Sequence, residues 1–281
     1  MVILVTGSNG QLGQAIQKIA PKYSEFTFVF LTSVELDITD LDSCQKAFST
    51  YQPAYCINTA AYTAVDKAES EEKSAYAVNT TGAQNLALVA KDYNAVLIHI
   101  STDFVFDGSK NEPYLETDAT NPISIYGLTK LKGEQAIEKT WEKHYIIRTS
   151  WVFSEYGNNF MKTMIRLGNE RDSLAVVSDQ TGTPTYAPDL AEALLEICNA
   201  NAKQNIKAYG IYNYSNEGQC TWYEFAKEIF KANNMAVQVT PIATTDYPTP
   251  AKRPAYSVFC KQKIKQTFGL SIKNWEANLK A

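Results

Sequence analysis

The chain has 281 residues, of which 45% are hydrophobic and 20% charged, and its formal net charge is −4. This is the composition of an ordinary globular protein, and the slight negative charge argues against nucleic acid as a partner. No apolar run approaches the roughly 18 to 20 residues of a membrane span, and the N-terminus lacks the features of a signal peptide. We therefore expect a cytoplasmic protein with no membrane partner. Five cysteines without a C-x-x-C pair predict reduced thiols.

The first 150 residues alternate short apolar runs with amphipathic stretches. Apolar residues spaced by three and four predict helices in the amphipathic stretches. The apolar runs predict buried strands at 2–6, 26–30, 54–58, 95–101 and 144–150. Strands that alternate with helices build a parallel sheet with right-handed crossovers, so we predict an α/β fold with a doubly wound parallel sheet.

The pattern changes after Ser150. Turn-rich stretches separate predicted helices near 160–168 and 189–200 from a predicted strand near 174–177. We predict that residues 1–150 form one domain and that 151–281 form mainly a smaller C-terminal lobe, with 185–215 returning to the first sheet. A ligand would then bind between them, at the carboxyl ends of the strands.

A glycine-rich turn joins the first strand to the first helix. In "VTGSNGQLGQAI", Gly7, Gly10 and Gly13 are spaced three apart. Glycines at such a turn let the backbone approach a pyrophosphate, whose charge the N-terminus of the helix favours. The usual dinucleotide fingerprint is G-x-G-x-x-G, so the spacing differs here, but its place after a strand predicts that residues 1–150 bind a dinucleotide.

The end of the second strand bears on which dinucleotide binds. An acidic residue there would bind the ribose 2′-hydroxyl of NAD and repel a 2′-phosphate. The sequence "FVFLTSVELDITD" instead offers Thr32 and Ser33, and the first acid, Glu35, comes later. We therefore expect NADPH to be accepted at least as well as NADH. Asp37 has two interpretations, a contact with the adenine and a plain helix cap.

A tyrosine and a lysine lie one helical turn apart in "YGLTK", as Tyr126 and Lys130. A lysine ammonium near a tyrosine should lower the pKa of the phenol, which is about 10 when unperturbed. The strand ending in "HISTDFVF" places Thr102 and Asp103 at its carboxyl end, and Thr102 can hydrogen-bond a substrate oxygen. Together these groups predict a proton relay beside a nicotinamide.

The same spacing occurs in Tyr223 and Lys227, within "TWYEFAKEIF". No glycine turn precedes this second pair, and its aromatic neighbours indicate a helix that packs the smaller lobe. His99 and His144 each lie on a predicted strand, which favours buried, hydrogen-bonded histidines over ligands.

Several motifs resemble those of the extended short-chain dehydrogenase/reductase family, and within it the reductases of dTDP-linked keto-sugars. They include "VTGSNGQLG", "HISTDFVFDG", "ETDATNPISIYGLTKLKGE", "RTSWVF", "DQTGTPTYAPDLA" and "RPAYS". The resemblance implies a Rossmann-like fold and a dTDP-sugar substrate. It also implies NAD(P)H-dependent reduction of the 4-keto group of dTDP-4-dehydro-6-deoxy-L-mannose to dTDP-L-rhamnose.

The resemblance also assigns roles by position. Tyr126 would donate a proton to the nascent alkoxide, Lys130 would hold the nicotinamide ribose, and Thr102 would tune the tyrosine. The other cofactor contacts would come from Gly7, Gly10, Gln11, Leu12, Gly13, Asp37, Ile38, Ala60, Ala61 and Tyr62. The substrate contacts would come from Thr63, Val65, Thr102, Asp103, Trp151 and Arg253. Trp151 has a second interpretation as core, and Arg253 as an anchor between the lobes.

One position departs from the family pattern. Some members bind Mg²⁺ through glutamates at a dimer interface, one of them early in the first helix, where this chain has Ala15. We therefore predict no bound metal. A homodimer is compatible with the resemblance, but Ala15 argues against its Mg²⁺-bridged interface.

Two other functions fit the same scaffold. One is a different nucleotide-sugar reductase or an epimerase, and the other is a non-catalytic regulatory subunit. The motifs after residue 150 favour the keto-sugar reductase over an epimerase. The complete set of Thr102, Tyr126 and Lys130 favours an enzyme over a regulatory subunit.

Overall fold

The computed structural model describes residues 1–280. Its strands, in chain order, are β1 (Val2–Thr6), β2 (Thr27–Leu31), β3 (Tyr55–Asn58), β4 (Val96–Thr102), β5 (His144–Thr149), β6 (Val152–Phe153), β7 (Ser173–Val177), β8 (Thr181–Gly182), β9 (Thr185–Tyr186), β10 (Gly210–Asn213), β11 (Cys220–Thr221) and β12 (Gln238–Ile242). Its α-helices are α1 (Gln11–Ile19), α2 (Leu41–Tyr51), α3 (Val65–Ala68), α4 (Glu72–Tyr76), α5 (Ala83–Asp92), α6 (Ile125–Thr140), α7 (Phe160–Glu170), α8 (Ala187–Gln204), α9 (Trp222–Ala232) and α10 (Gln262–Phe268).

The central sheet has the strand order β10-β5-β4-β3-β1-β2, and every neighbouring pair is parallel. The doubly wound parallel α/β fold that the sequence predicts is confirmed. The first five predicted strands agree with the observed ones to within one residue at each end. Helices cover both faces of such a sheet, and its strands are therefore continuous apolar runs that the sequence reveals directly.

Each face of the sheet has its own apolar core. On one face α1 and α8 pack together, with Ile16, Leu190 and Leu194 fully buried. On the other face α2, α5 and α6 contribute Phe48, Leu86 and Ile137, which are also fully buried. The two cores fix the sheet between the helices, so the loops at the carboxyl ends of its strands have a rigid base.

The chain returns to the central sheet after residue 185. Helix α8 has a proline in its first turn, and the residue that caps its C-terminal end, Asn205, has a left-handed backbone. Strand β10 then pairs with β5, from Gly210 opposite Tyr145 to Asn213 opposite Arg148. The division of the chain into two domains at residue 150 stays a prediction.

A smaller core lies among the remaining elements. Helices α7 and α9 and strands β7 and β12 surround the buried side chains of Phe153, Met161, Phe225, Ile229 and Trp275. Helix α9 begins with a capping box in which Thr221 and Glu224 satisfy each other's backbone N–H groups. Strand β12 is mostly exposed, and it therefore lacks the apolar pattern by which a sequence reveals a strand.

The chain contains a π-helical turn at Ala77–Gly82, between α4 and α5. Such turns often mark functional sites. Every cysteine in the described chain is unpaired, and four of the five are buried. None of the helices within residues 1–280 has the length and hydropathy needed to cross a bilayer.

Candidate active site

The glycine turn after β1 has the geometry of a phosphate cradle. Gly7 has a φ of +61°, and a β-carbon there would lie 2.8 Å from the Cα atom of Ala60. A β-carbon on Gly13 would lie 2.6 Å from the Cα atom of Ser8. Gly10 is the N-cap residue of α1, and within residues 1–280 no side-chain hydrogen bond caps this end of the helix. The N–H groups of the first turn are therefore open to an anion, which fits a dinucleotide pyrophosphate.

The two residues after Gly10 face in different directions. Leu12 is buried in the core beneath the sheet, so only its backbone can face a ligand. The amide of Gln11 crosses to the loop after β6, where its Oε1 atom accepts hydrogen bonds from Ser154 Oγ at 2.9 Å and Asn159 Nδ2 at 2.7 Å. Its Nε2 atom donates to the Val152 carbonyl at 3.2 Å. Sequence reasoning missed Ser154 and Asn159, because irregular loops carry no periodic signal.

An acidic group does lie at the end of β2, contrary to the expectation from the sequence. The chain turns between Thr32 and Leu36, and the Glu35 carboxylate folds back onto the strand end. It accepts hydrogen bonds from the Thr32 N–H and Oγ1, both at 2.8 Å. These hydrogen bonds hold the pKa of Glu35 below its usual range. A ribose 2′-substituent would therefore meet Glu35 as well as Thr32.

Asp37 and Ile38 follow this turn. Asp37 Oδ1 accepts hydrogen bonds from Thr39 N at 2.9 Å and Thr39 Oγ1 at 2.8 Å, which fixes a local turn. The cap of α2 is Asp40, so the interpretation of Asp37 as a helix cap is wrong. The Ile38 side chain is buried against Gly82. Only the backbone of Ile38 can therefore contact an adenine.

The segment after β3 contains Ala60, Ala61 and Tyr62, and Asn79 of the π-helical turn holds it in place. Asn79 Oδ1 accepts from the Tyr62 N–H at 2.9 Å, and its Nδ2 donates to the Tyr62 carbonyl at 3.2 Å. The same Nδ2 atom donates to Thr129 Oγ1 of α6 at 3.1 Å. Sequence reasoning missed Asn79, although the π-helical turn around it ties the predicted cofactor contacts to α6.

Thr63 and Val65 follow directly, Thr63 exposed and Val65 half-buried at the start of α3. Their positions leave both side chains accessible to a ligand at this edge of the sheet.

Thr102 and Asp103 form a connected pair at the end of β4. Thr102 Oγ1 donates to Asp103 Oδ1 at 3.0 Å and accepts from the Phe104 N–H at 3.2 Å. Asp103 is buried, and its Oδ2 atom makes no geometrically adequate hydrogen bond to any residue from 1 to 280. Burial raises the pKa of Asp103 to about 6, although the Ser257 and Thr102 hydroxyls act in the opposite sense. A ligand hydroxyl is the natural partner for this oxygen.

Tyr126 lies in the first turn of α6, which is fixed closely to the loop after β4. Ser124 caps the helix and accepts from the Gly127 N–H at 3.2 Å. A β-carbon on Gly127 would lie only 2.2 Å from the Phe104 carbonyl oxygen. The Tyr126 ring packs edge-on against Phe104, with the ring centres 5.4 Å apart. The helix start and the strand end therefore hold Tyr126 beside Thr102.

The expectation that Lys130 lowers the pKa of Tyr126 is wrong for this structure. Burial raises the pKa of Tyr126 to about 12, the Thr102 hydroxyl opposes this rise, and the Asp103 carboxylate adds to it. Lys130 is 2% exposed and points away toward β4. Its Nζ atom donates to the Ile100 carbonyl at 2.6 Å and lies 3.2 Å from His99 Nε2. Tyr126 therefore keeps its proton at neutral pH, as a proton donor must.

The charge of Lys130 is itself perturbed. Burial lowers the pKa of Lys130 to about 8, and the Glu134 carboxylate acts in the opposite sense. A lysine with this pKa exists near neutral pH in both its ammonium and its amine form.

The second Tyr-x-x-x-Lys pair lies in α9, away from the sheet edge. Lys227 Nζ lies 5.2 Å from the centre of the Tyr223 ring, a cation–π contact at the surface of the smaller core. Thr221, which ends β11 and caps α9, uses its hydroxyl group on Glu224 of the same helix, accepting from the Glu224 N–H at 3.1 Å. This arrangement supports the structural interpretation of Tyr223 and Lys227.

Trp151 packs on the smaller core and remains half-exposed. Its φ of +47° is unusual for a bulky residue, and such strain is commonest at functional sites. Its indole stacks on Trp222 with ring centres 3.5 Å apart, and a β-carbon on Gly182 would lie 2.6 Å from its Cε2 atom. Trp151 therefore has core contacts on one side and an accessible edge.

Arg253 anchors the C-terminal region to α3. Its guanidinium binds the Asp66 carboxylate through two contacts, Nη1–Oδ1 at 3.1 Å and Nη2–Oδ2 at 2.8 Å. This guanidinium holds the pKa of Asp66 below its usual range. The anchoring role that the sequence left open is present, and a contact with the nucleotide diphosphate stays a prediction.

Ala15 is buried, on the face of α1 that packs against α8. From residue 1 to residue 280, no group of three or more His, Cys, Asp or Glu side chains is arranged to hold a metal ion.

Known proteins resemble the chain over its whole length. The family model of the RmlD substrate binding domain matches residues 1–281. A dTDP-4-dehydrorhamnose reductase of Aggregatibacter actinomycetemcomitans is 43% identical over 284 residues, which are 99% of this chain and 97% of the relative. A crystal structure of dTDP-4-dehydrorhamnose reductase from Bacillus anthracis in complex with NADP has a TM-score of 0.93 and 41% identity, and the match covers 99% of this chain and 96% of that one.

More distant structures share the fold alone. UDP-glucose 4-epimerase from Brucella ovis, in complex with NAD, has a TM-score of 0.82 at 18% identity, with 96% of this chain and 93% of that chain covered. The Rossmann-like fold and the resemblance that the motifs indicate are both confirmed. The chain therefore belongs to the RmlD substrate binding domain family, together with the dTDP-4-dehydrorhamnose reductases that it matches from end to end.

Proposed function

We propose that this protein reduces the 4-keto group of dTDP-4-dehydro-6-deoxy-L-mannose with NADPH and so produces dTDP-L-rhamnose. It is an oxidoreductase, and relatives that it matches over 97% and 96% of their length carry the name of this reaction. The observation that carries the proposal is the position of Tyr126 beside Thr102, at the same sheet edge as the open N-terminus of α1. Parallel strands end at one edge, so the proton donor and the phosphate cradle face one cleft.

The chain provides a contact for each part of the cofactor. Gly7, Gly10 and Gly13 would hold the pyrophosphate, and Thr32 would face the ribose next to the adenine. The segment Ala60–Tyr62 would line the far side, and Lys130 would turn to the nicotinamide ribose. When bound, the reduced nicotinamide supplies the hydride that the 4-keto carbon accepts.

Tyr126 supplies the proton. An alkoxide is a stronger base than the Tyr126 phenolate even when the pKa of the Tyr126 phenol is about 12, so proton transfer from Tyr126 to the sugar oxygen is favourable and leaves the phenolate. The Thr102 hydroxyl would orient the same oxygen, and the unpartnered Asp103 Oδ2 would accept a hydrogen bond from a sugar hydroxyl. Thr63, Val65, Trp151 and Arg253 would contact the rest of the sugar nucleotide.

The test follows NADPH oxidation by the purified protein with dTDP-4-dehydro-6-deoxy-L-mannose and identifies the product. We expect one NADPH consumed per dTDP-L-rhamnose formed, whereas an epimerase would recycle its cofactor. Tyr126→Phe should lower kcat by about 100-fold to 10,000-fold, the usual contribution of a general acid, while NADPH still binds. The matched control Tyr223→Phe should keep wild-type turnover. No turnover by the wild-type protein would favour the non-catalytic alternative.

A further inference from the structure

A row of hydrogen bonds runs beneath the active site from Ala60 to Lys130. The Ala60 N–H donates to Asn58 Oδ1 at 3.1 Å, and Asn58 Nδ2 lies 2.9 Å from His99 Nδ1. His99 Nε2 lies 3.2 Å from Lys130 Nζ, which donates to the Ile100 carbonyl at 2.6 Å. Asn58, His99 and Lys130 are each at most 2% exposed. Water therefore cannot readily replace any of these partners.

The direction of each hydrogen bond follows from the first one. A backbone N–H can only donate, so the atom of Asn58 that faces Ala60 must be its oxygen. Thr6 Oγ1 donates to the same oxygen at 2.6 Å. The other end of the Asn58 amide is then the NH₂ group, which can only donate. His99 Nδ1 must therefore accept a hydrogen bond and carries no proton.

The remaining proton of the ring must then lie on Nε2. Burial is the main cause that lowers the pKa of His99 well below its ordinary value, so the ring is neutral and has one N–H. That N–H points at Lys130 Nζ. An ammonium group has no lone pair, so only the amine form of Lys130 can accept this hydrogen bond.

We propose that His99 is a positioning residue for Lys130: Asn58 fixes its Nε2–H tautomer, and this N–H holds Lys130 as the free amine, turned toward β4, in the ligand-free protein. The hydrogen-bond assignment rests on these contacts and on the neutral ring of the buried His99. Its meaning for catalysis rests on the proposed reductase activity.

The other charged groups near Lys130 do not reverse this preference. Glu134 lies one turn further along α6 and favours the ammonium form, but Arg148 binds its carboxylate through Nη2–Oε2 at 2.6 Å, and the Ser101 hydroxyl also donates to it. His144, on β5, acts electrostatically on His99. Because burial already lowers the pKa of Lys130 to about 8, one further hydrogen bond can decide its charge near neutral pH.

This arrangement explains how Tyr126 keeps its proton. An ammonium group one turn away would favour the phenolate. Held as an amine against β4, Lys130 exerts no such effect, and the phenol remains a donor. Lys130 would turn and gain a proton when the cofactor ribose is present, since the ammonium form donates to ribose hydroxyls.

The direct test reads the histidine tautomer by NMR. The chain has two histidines, so a long-range ¹H–¹⁵N spectrum of ¹⁵N-histidine-labelled protein contains two rings, and His144→Gln assigns them. At neutral pH we expect His99 to show an unprotonated, hydrogen-bonded Nδ1 and a protonated Nε2. A proton on Nδ1 would overturn the proposal. This result does not depend on any enzymatic activity, so it separates a failure here from a failure of the reductase assignment.

The kinetic test compares His99→Gln with its matched control His144→Gln. A glutamine carbonyl at position 99 can accept from the Lys130 ammonium and so favours it. Since kcat/KM reports groups of the free enzyme, its decline with rising pH should move upward by about one pH unit in His99→Gln, the effect of one hydrogen bond to a charged group. His144→Gln should leave this decline at its wild-type pH. An unchanged decline in a folded His99→Gln protein would contradict the proposal, and if that variant does not fold, the wild-type spectrum decides.

Discussion

The contact between Gly127 and the Phe104 carbonyl makes a sharp prediction about turnover. In Gly127→Ala the new β-carbon would lie 2.2 Å from that oxygen, whereas ordinary van der Waals contact begins at 3.4 Å. Relief of the clash requires the first turn of α6 to move by 3.4 Å less 2.2 Å, or about 1.2 Å. Tyr126 is the preceding residue and moves with it. A displacement of about 1 Å at a catalytic group lowers the rate by roughly 100-fold.

Two effects on stability oppose each other in this variant. Alanine in place of glycine stabilises a helix by about 1 kcal/mol, and overpacking costs about 1–3 kcal/mol. The net loss is therefore small, and most of the protein should remain folded. We expect kcat for keto-sugar reduction to fall by roughly 100-fold while NADPH affinity, measured by fluorescence titration, changes little.

Gly133→Ala is the matched control on the same helix. Its β-carbon would also lie 2.2 Å from a carbonyl oxygen, that of Asn79, but it is almost two turns further from Tyr126. Gly133→Ala should lose about as much stability as Gly127→Ala, but its turnover should fall far less. If a folded Gly127→Ala protein keeps turnover within about threefold of wild type, the tight contact with Phe104 does not position Tyr126.

Three further predictions concern the cofactor, a metal and pH. Glu35→Gln should raise the ratio of kcat/KM for NADPH over NADH by about threefold to tenfold, because it removes one screened negative charge beside Thr32. An unchanged ratio would exclude a role for this carboxylate in cofactor preference. Turnover should survive EDTA, and a loss that Mg²⁺ restores would show that the protein uses a metal despite Ala15. With its pKa raised to about 6, folded Asp103 binds more protons than unfolded Asp103 from about pH 4 to pH 6, so stability falls as pH rises through this window. Asp103→Asn should remove up to about 3 kcal/mol of this pH dependence in urea unfolding, and identical curves for both proteins would contradict the raised pKa.

The sequence was sufficient where structure depends on local pattern. The strands of the central sheet are apolar on both faces, and the glycine turn and Thr102 are found because the turn directly follows β1 and Thr102 ends β4. Tyr126 follows from its spacing and from the helix that contains it. These features can be predicted from the order of residues within short segments of the chain.

The rest depends on contacts between residues far apart in the chain. Lys130 points to His99, 31 positions earlier, and this contact removes the expected effect on Tyr126. Glu35 lies beyond the strand end in sequence, yet a tight turn brings its carboxylate back to Thr32. Strand β12 is missed because its exposed residues lack an apolar pattern. The spacing of residues does not predict the direction in which a side chain points, or where a turn folds back onto a strand.

The hydrogen bonds of Gln11 limit how this protein can be recombined with its relatives. One amide from the first helix binds Ser154 and Asn159, which follow the predicted boundary at residue 150. A chimera joined at that boundary would combine a glutamine from one parent with a loop from another. An experiment that exchanges cofactor preference between relatives should therefore transfer the loop 152–159 and the glycine turn together.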